Sequence, residues 1–162
     1  MDNLTLRRAR ADDAAAISQL IHDLAHCCTI DPDSAGADEF FQNVSPSAIE
    51  RYVTAPDFYY QVAYDGVDLA GIVAVREGKH LYHLFVASRF QRKGIGASLW
   101  SLAKAAAIAG GNRDGFTVNS SANAVPMYAR FGFVATGPMV EHNGVAFVPM
   151  RLRDEGRMKQ LS

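Results

Sequence analysis

Cysteine is scarce in this chain: there are two among 162 residues, Cys27 and Cys28, and they are adjacent. Neighbouring Cα atoms lie about 3.8 Å apart, closer than disulfide geometry favours, so no cystine framework is expected and a reducing compartment suits the sequence. An excess of charge of one sign is missing too, since 16 basic residues face 17 acidic ones for a net charge of -1. No global field is therefore available to hold nucleic acid or an anionic membrane, and any anionic ligand has to be met locally. Long apolar runs are absent, both the ~20 residues of a membrane span and the shorter core of a signal peptide near Met1. The expectation is a cytoplasmic protein with no nucleic-acid and no membrane partner. Repeats, low-complexity tracts and linkers are lacking as well. What remains, 49% hydrophobic and 20% charged residues, is ordinary for one globular domain over 1–162 with a sizeable core.

Hydrophobic periodicity lays out the elements. Residues 4–7 alternate as a strand, and Asp12 or Asp13 can cap a helix that carries Ile17, Leu20, Ile21 and Leu24 on one face. Residues 31–36 have loop chemistry, and Ser45-Pro46 opens a short helix through Ile49 and Tyr52 that Pro56 stops. Residues 58–64, 69–77 and 79–86 form an expected antiparallel meander with turns at Asp65-Gly66 and Glu77-Gly78. The period changes after Gln91, where Ile95, Leu99, Leu102 and Ala106 line one face of a helix ending at Gly110-Gly111. Residues 116–118 are the next strand and 124–131 a short helix; 133–140 and 145–152 make a closing hairpin about Asn143-Gly144. The order gives an α/β sandwich, with a polar tail beyond Arg153 that is expected to fray.

Between the apolar strand end Leu84-Phe85-Val86 and the long helix lies a turn containing Gly94 and Gly96. Without side chains the backbone can approach a ligand there, and free N–H groups at the helix start suit a diphosphate. A Walker-type phosphate loop is excluded because Gly-Lys-Ser/Thr occurs nowhere. A dinucleotide fingerprint is disfavoured because Leu99 stands at the third glycine and Val118-Asn119-Ser120 replaces the acidic strand end. The string Gln91-Arg92-Lys93-Gly94-Ile95-Gly96 resembles the Q/R-x-x-G-x-G/A signature of the GNAT superfamily of acetyl-CoA-dependent N-acyltransferases. The segment 119–133, ending Met127-Tyr128-Ala129-Arg130-Phe131-Gly132-Phe133, is similar to that family's strand-to-helix segment with its tyrosine and Gly-Phe. Motif-level likeness covers 81–133, and the element order extends it loosely over 4–152.

The resemblance implies a mixed, mostly antiparallel sheet of six to seven strands flanked by helices. Its parallel strands, ending near Val86 and Asn119, splay apart to hold the pantetheine arm of acetyl-CoA, the co-substrate. The implied donor site comprises Phe85, Val86, Gln91, Arg92, Lys93, Gly94, Ile95, Gly96 and Ala97, completed by Ser121, Asn123 and Tyr128. Many members carry asparagine where Ser121 stands; here the asparagine is Asn123.

Acetyl transfer from a thioester to an amine needs an uncharged nucleophile, a stabilised oxyanion and a proton for the departing thiolate. Tyr128 is the candidate acid, with an ordinary phenol pKa of ~10 against ~8.5 for a thiol, and the family's tyrosine has the same role. The resemblance places the oxyanion at a main-chain N–H near Val86. Strict alternation puts His80, Tyr82, Leu84 and Val86 on one strand face and Leu81, His83 and Phe85 on the other. His80 matches a position where relatives often carry the base and titrates near neutrality; Tyr82 is a water-holding second, and His83 is expected to be structural. His22, His26, Cys27 and Cys28 crowd one helix end, but no second cluster joins them and no metal is expected. Trp100 is expected to pack on the sheet or cover a subunit contact, and Val145-Ala146-Phe147-Val148 is a candidate homodimer contact. The resulting expectation is an N-acetyltransferase that acts on a small-molecule or peptide amine by direct transfer. A non-catalytic acyl-CoA sensor would keep the glycines and need neither acid nor base.

Overall fold

The computed structural model describes residues 4–25, 28–31 and 36–153. Strand β1 (Leu4–Arg8) leads through a 3-10 turn at Ala11–Asp13 into helix α1 (Ala14–Leu24). Asp13 fixes this entry by accepting from Arg7 at 2.8 and 2.9 Å, from the Arg10 N–H at 2.7 Å and from the Tyr64 hydroxyl at 3.0 Å. The acidic cap anticipated for α1 thus acts one turn early and ties β1 to the neighbouring strand. Helix α2 (Asp38–Asn43) precedes α3 (Pro46–Thr54); Ser45 caps α3 by accepting from the Ala48 N–H at 3.2 Å, and Pro46 sits in its first turn. The sequence did not announce α2, which at 6 residues is too short to display a helical period.

Strands β2 (Phe58–Asp65), β3 (Asp68–Arg76) and β4 (His80–Val86) form the expected meander. At the β3–β4 turn Glu77 and Gly78 take φ of 55° and 69°, the pair of positive angles that matches hairpin twist. Helix α4 (Ile95–Ala109) crosses over to β5 (Phe116–Ser120). Helix α5 (Val125–Arg130) follows, and β6 (Val134–Ala135), β7 (Val140–His142) and β8 (Val145–Leu152) close the chain. The sheet order is β1-β2-β3-β4-β5-β8-β6 with β7 also on β8, an 8-stranded sheet in which only β4 and β5 are parallel neighbours. The extra strand comes from the closing hairpin, whose first arm divides into β6 and β7 around Gly137-Pro138, where proline has no N–H for a ladder.

Helices α4 and α5 cover one face, packing Ile95, Leu99, Trp100 and Tyr128 on Val73, Val75, Leu81 and Val118. Helices α1 and α3 cover the other, with Ile17, Ile21 and Ile49 against Tyr60, Val62, Ile72 and Ala74. The buried stripe of α4 is Ile95, Leu99, Trp100 and Ala103, whereas Leu102, expected inside, is 41% exposed. Trp100 explains the rotation, because its ring meets Phe116 edge-on at 5.0 Å and Phe133 at 5.6 Å. The run 145–148 lies in β8, inside the sheet, and Thr29 bridges to Val145, so much of its main chain is engaged within the chain. His26 and Cys27 of the histidine–cysteine cluster, residues 32–35 of the loop and the tail beyond Arg153 lie outside the described residues. Among the described residues no helix is long and apolar enough to cross a membrane, and no group of three or more His, Cys, Asp or Glu is arranged to hold a metal ion.

Candidate functional site

The β4–β5 pairing covers only His80↔Thr117 and Leu81↔Val118. Beyond it β4 continues to Val86 and β5 to Ser120 without pairing to each other, so the sheet opens into a wedge. Helix α4 starts at the mouth of that wedge. Gly94 caps it at φ 83°, a left-handed angle that glycine adopts freely, and Arg92 takes φ 64°. Gln91 pins the turn to the strand, its Nε2 donating to the Val86 carbonyl at 2.9 Å. A Cβ on Gly96 would lie 3.6 Å from Val86 Cγ2 and 3.9 Å from Met127 Sδ, so β4, α4 and α5 converge there, whereas a Cβ on Gly94 meets nothing within 4 Å.

The opening N–H groups of α4 have no acceptor within the helix, and its dipole adds about half a positive charge. Ile95 buries its side chain and so presents main chain only, beside exposed Ala97. Arg92 and Lys93 are exposed and take no part in the ion pairs of the described residues, which are Arg7–Asp13, Lys79–Glu77 and Arg89–Asp68. The turn therefore gathers donors and positive charge under open space, a cradle that fits a diphosphate.

Strand β4 departs from strict alternation. Its register on β3 runs from Gly71↔Val86 through Ala74↔His83 and then slips to Val75↔Leu81, leaving Tyr82 as a β-bulge. Leu81, Leu84 and Val86 pack on the α4 side, while Tyr82 and Phe85 pack on the α1/α3 side, where His83 reaches Tyr60. The expected faces are thereby corrected: the extra residue brings His83 and Phe85 onto the face of Tyr82. Phe85 turns its ring away from α4, and only its main chain borders the wedge.

His80 is half-buried at the closed end of the wedge, with Nδ1 2.7 Å from Thr117 Oγ1. Burial, aided by the Arg76 guanidinium, holds its pKa below 6.5 and keeps the ring neutral at pH 7. Burial and the hydrogen bond to Tyr52 push the Tyr82 phenol up. His83 is enclosed, lies 3.0 Å from the Tyr60 hydroxyl, and is drawn by burial to a pKa of about 3, as a structural histidine should be.

Tyr128 occupies the other face, 5% exposed and edge-on to Phe133 at 5.6 Å; burial, with a contribution from Cys28, raises its pKa. Residue Cys28 is held nearby because the Ala146 N–H donates to its carbonyl at 3.0 Å. Half-buried Ser121 and exposed Asn123 follow the end of β5, the Ser121 carbonyl accepting from Ser120 Oγ at 2.7 Å. Sorted by face, the structure sets the turn 91–97, Val86 and Tyr128 toward α4 and α5, and His80 and Tyr82 toward α1 and α3.

Sequence reasoning passed over Thr117 and Arg76, which flank His80 on the two neighbouring strands. Their only signal was position beside a hairpin turn and beside a strand start. A separate cavity of about 590 Å³ lies at the other end of α4, bordered by Arg8, Asp57, Tyr59, Lys79 and Arg113. The 15 residues of α4 put it about 22 Å from the glycine turn. Its charges are of both signs and it holds none of the candidate acid–base groups, so volume does not outweigh the chemistry of the wedge.

The family model described as acetyltransferase (GNAT) domain matches residues 28–153. No curated protein matches the chain. A GCN5-related N-acetyltransferase from Rhodopseudomonas palustris superposes with a TM-score of 0.70 at 21% identity, over 95% of this chain and 98% of that one. A PaiA N-acetyltransferase from Thermoplasma acidophilum, in complex with coenzyme A, gives 0.70 at 14% identity over 93% and 99%. A mutant spermidine N-acetyltransferase from Vibrio cholerae gives 0.69 at 18% identity over 100% of both chains. At such identities these likenesses establish a shared fold.

Proposed function

The chain belongs to the GNAT acetyltransferase family, and on that premise we propose that it is an N-acetyltransferase moving the acetyl group of acetyl-CoA to a primary amine by direct transfer. The observation that carries this reading is the wedge between β4 and β5 with a glycine turn and a helix N-terminus at its mouth. Acetyl-CoA supplies an activated thioester. The main-chain N–H groups of Gly94 to Ala97 hold the diphosphate, with Arg92 and Lys93 adding charge and Gln91 fixing the turn. The Phe85 and Val86 main chain forms one bank of the pantetheine path, and Ser121 and Asn123 the other.

The amine arrives from the α1/α3 face, where His80 takes its proton. If Nδ1–H donates to Thr117 Oγ1, the lone pair is on Nε2. Tyr82 stays protonated and holds a relaying water. A main-chain N–H near Val86 takes the oxyanion. Tyr128, kept protonated by burial, gives its proton to the leaving thiolate from the α4 side. Base and acid thus serve opposite faces of one opening.

Calorimetric titration with acetyl-CoA tests the donor site. In Gly94→Glu the carboxylate projects into the open space over the turn, and affinity is expected to fall by about 100-fold or more, roughly 3 kcal/mol. Equal binding by both proteins places the donor elsewhere, and no binding by wild type removes the reading.

A further inference from the structure

On the α1/α3 face, beside the candidate base, stands an arginine that joins no ion pair among the described residues. Arg76 ends β3 directly opposite His80, and its half-buried guanidinium lies 5.3 Å from the centroid of the Tyr82 ring. Arg76 acts electrostatically on both His80 and Tyr82. Beside it stands an aromatic wall, Tyr52 stacked on Phe58 at 4.9 Å and both meeting Tyr82 edge-on at 5.4 and 5.3 Å. The register row Phe58↔Arg76↔His80↔Thr117 crosses four adjacent strands, so with strands about 4.8 Å apart Arg76 is one strand from the base.

That spacing sorts amines by what else they carry. A polyamine delivered to His80 brings a second ammonium beside a guanidinium, a like-charge contact. A carboxylate a few bonds from the reacting amine instead meets the planar fork of Arg76 in a charge-assisted, two-pronged bond. An aromatic body would lie against the Tyr52, Phe58 and Tyr82 rings in offset or edge-on contact. Resting on the acetyl-transfer reading above, we propose that the acceptor is a monoamine bearing a carboxylate and an aromatic body, an aromatic amino acid in its simplest form, and that Arg76 selects it.

Kinetics of the purified protein with acetyl-CoA compare phenylalanine and tyrosine with phenethylamine, which lacks the carboxylate, and with spermidine. The expected kcat/KM is at least about tenfold higher for the amino acids than for either amine, a difference of roughly 1.4 kcal/mol. Arg76→Gln is expected to erase that ratio through KM while leaving calorimetric binding of acetyl-CoA unchanged, and Arg76→Lys to restore part of it. Faster turnover of spermidine, equal turnover of phenylalanine and phenethylamine, inert amino acids despite bound acetyl-CoA, or a ratio indifferent to Arg76→Gln each overturns the proposal. Failure of wild type to bind acetyl-CoA is a different result, and it removes the donor reading on which this one rests.

Discussion

His80 and Tyr128 are both pushed by burial toward their neutral forms, and the proposed mechanism puts the two to opposite uses. A lowered histidine pKa leaves a lone pair free at pH 7, and a raised phenol pKa keeps a proton in place beside a thiolate. Tyr128→Phe keeps the ring against Phe131 and Phe133 and removes only the hydroxyl. In the proposed mechanism kcat falls by about 10²–10⁴, the usual yield of a positioned acid, with little change in acetyl-CoA binding or melting temperature. Thiol release under saturating substrates measures it, and a kcat within about threefold of wild type would assign Tyr128 to packing alone. At this scale Gly94, Gly96 and Tyr128 were legible because each belongs to a contiguous string. Thr117 and Arg76 were not, because each meets His80 across a strand boundary that sequence spacing does not encode.

Among the elements, the meander and the glycine turn were legible from two-residue periodicity and from Asp-Gly, Glu-Gly and Asn-Gly turns. The β4 bulge was not, since an extra residue leaves a run of apolar and aromatic side chains looking the same whichever face each takes. The α4 stripe was misaligned for a similar reason: an apolar helix offers several candidate faces, and the Trp100–Phe116 contact decides among them. How tightly α4 sits on the sheet also depends on Gly71. A Cβ there would meet Leu99 Cδ1 at 3.0 Å, the Phe85 carbonyl oxygen at 3.1 Å and Ile95 Cγ2 at 3.4 Å. Gly71→Ala is therefore expected to cost about 1–3 kcal/mol through overpacking, lowering the melting temperature by several degrees. Because Ile95 is the first residue of α4, acetyl-CoA affinity should weaken with it. An unchanged melting temperature would show that α4 has room to spare over β3.

For the whole molecule, the open sheet divides the interior into two cores, and the one under α1 and α3 encloses His83 among Tyr60, Tyr82 and Phe85. Its folded pKa of about 3 lies below the 6.5 expected in an unfolded chain. Between those values the unfolded chain binds the extra proton, so stability rises with pH across that window. The contribution is fully present above about pH 6.5 and is lost as pH falls toward about 3, up to roughly 5 kcal/mol in total. That is a large share of the ~5–15 kcal/mol that holds a typical domain folded. Asp13, whose pKa is lowered, loses its own contribution only as pH falls through and below the ordinary carboxylate range, whereas His80, also lowered, adds to the same pH 7 to pH 5 interval, so the difference between wild type and a His83 variant isolates His83. Over that interval wild type should lose on the order of 2 kcal/mol in urea-denaturation midpoints read by circular dichroism. His83→Gln can still bond the Tyr60 hydroxyl but has no proton to gain, and its profile should be flatter. Parallel profiles for the two proteins would mean that His83 keeps an ordinary pKa in the folded chain and that the enclosure does not exclude its proton.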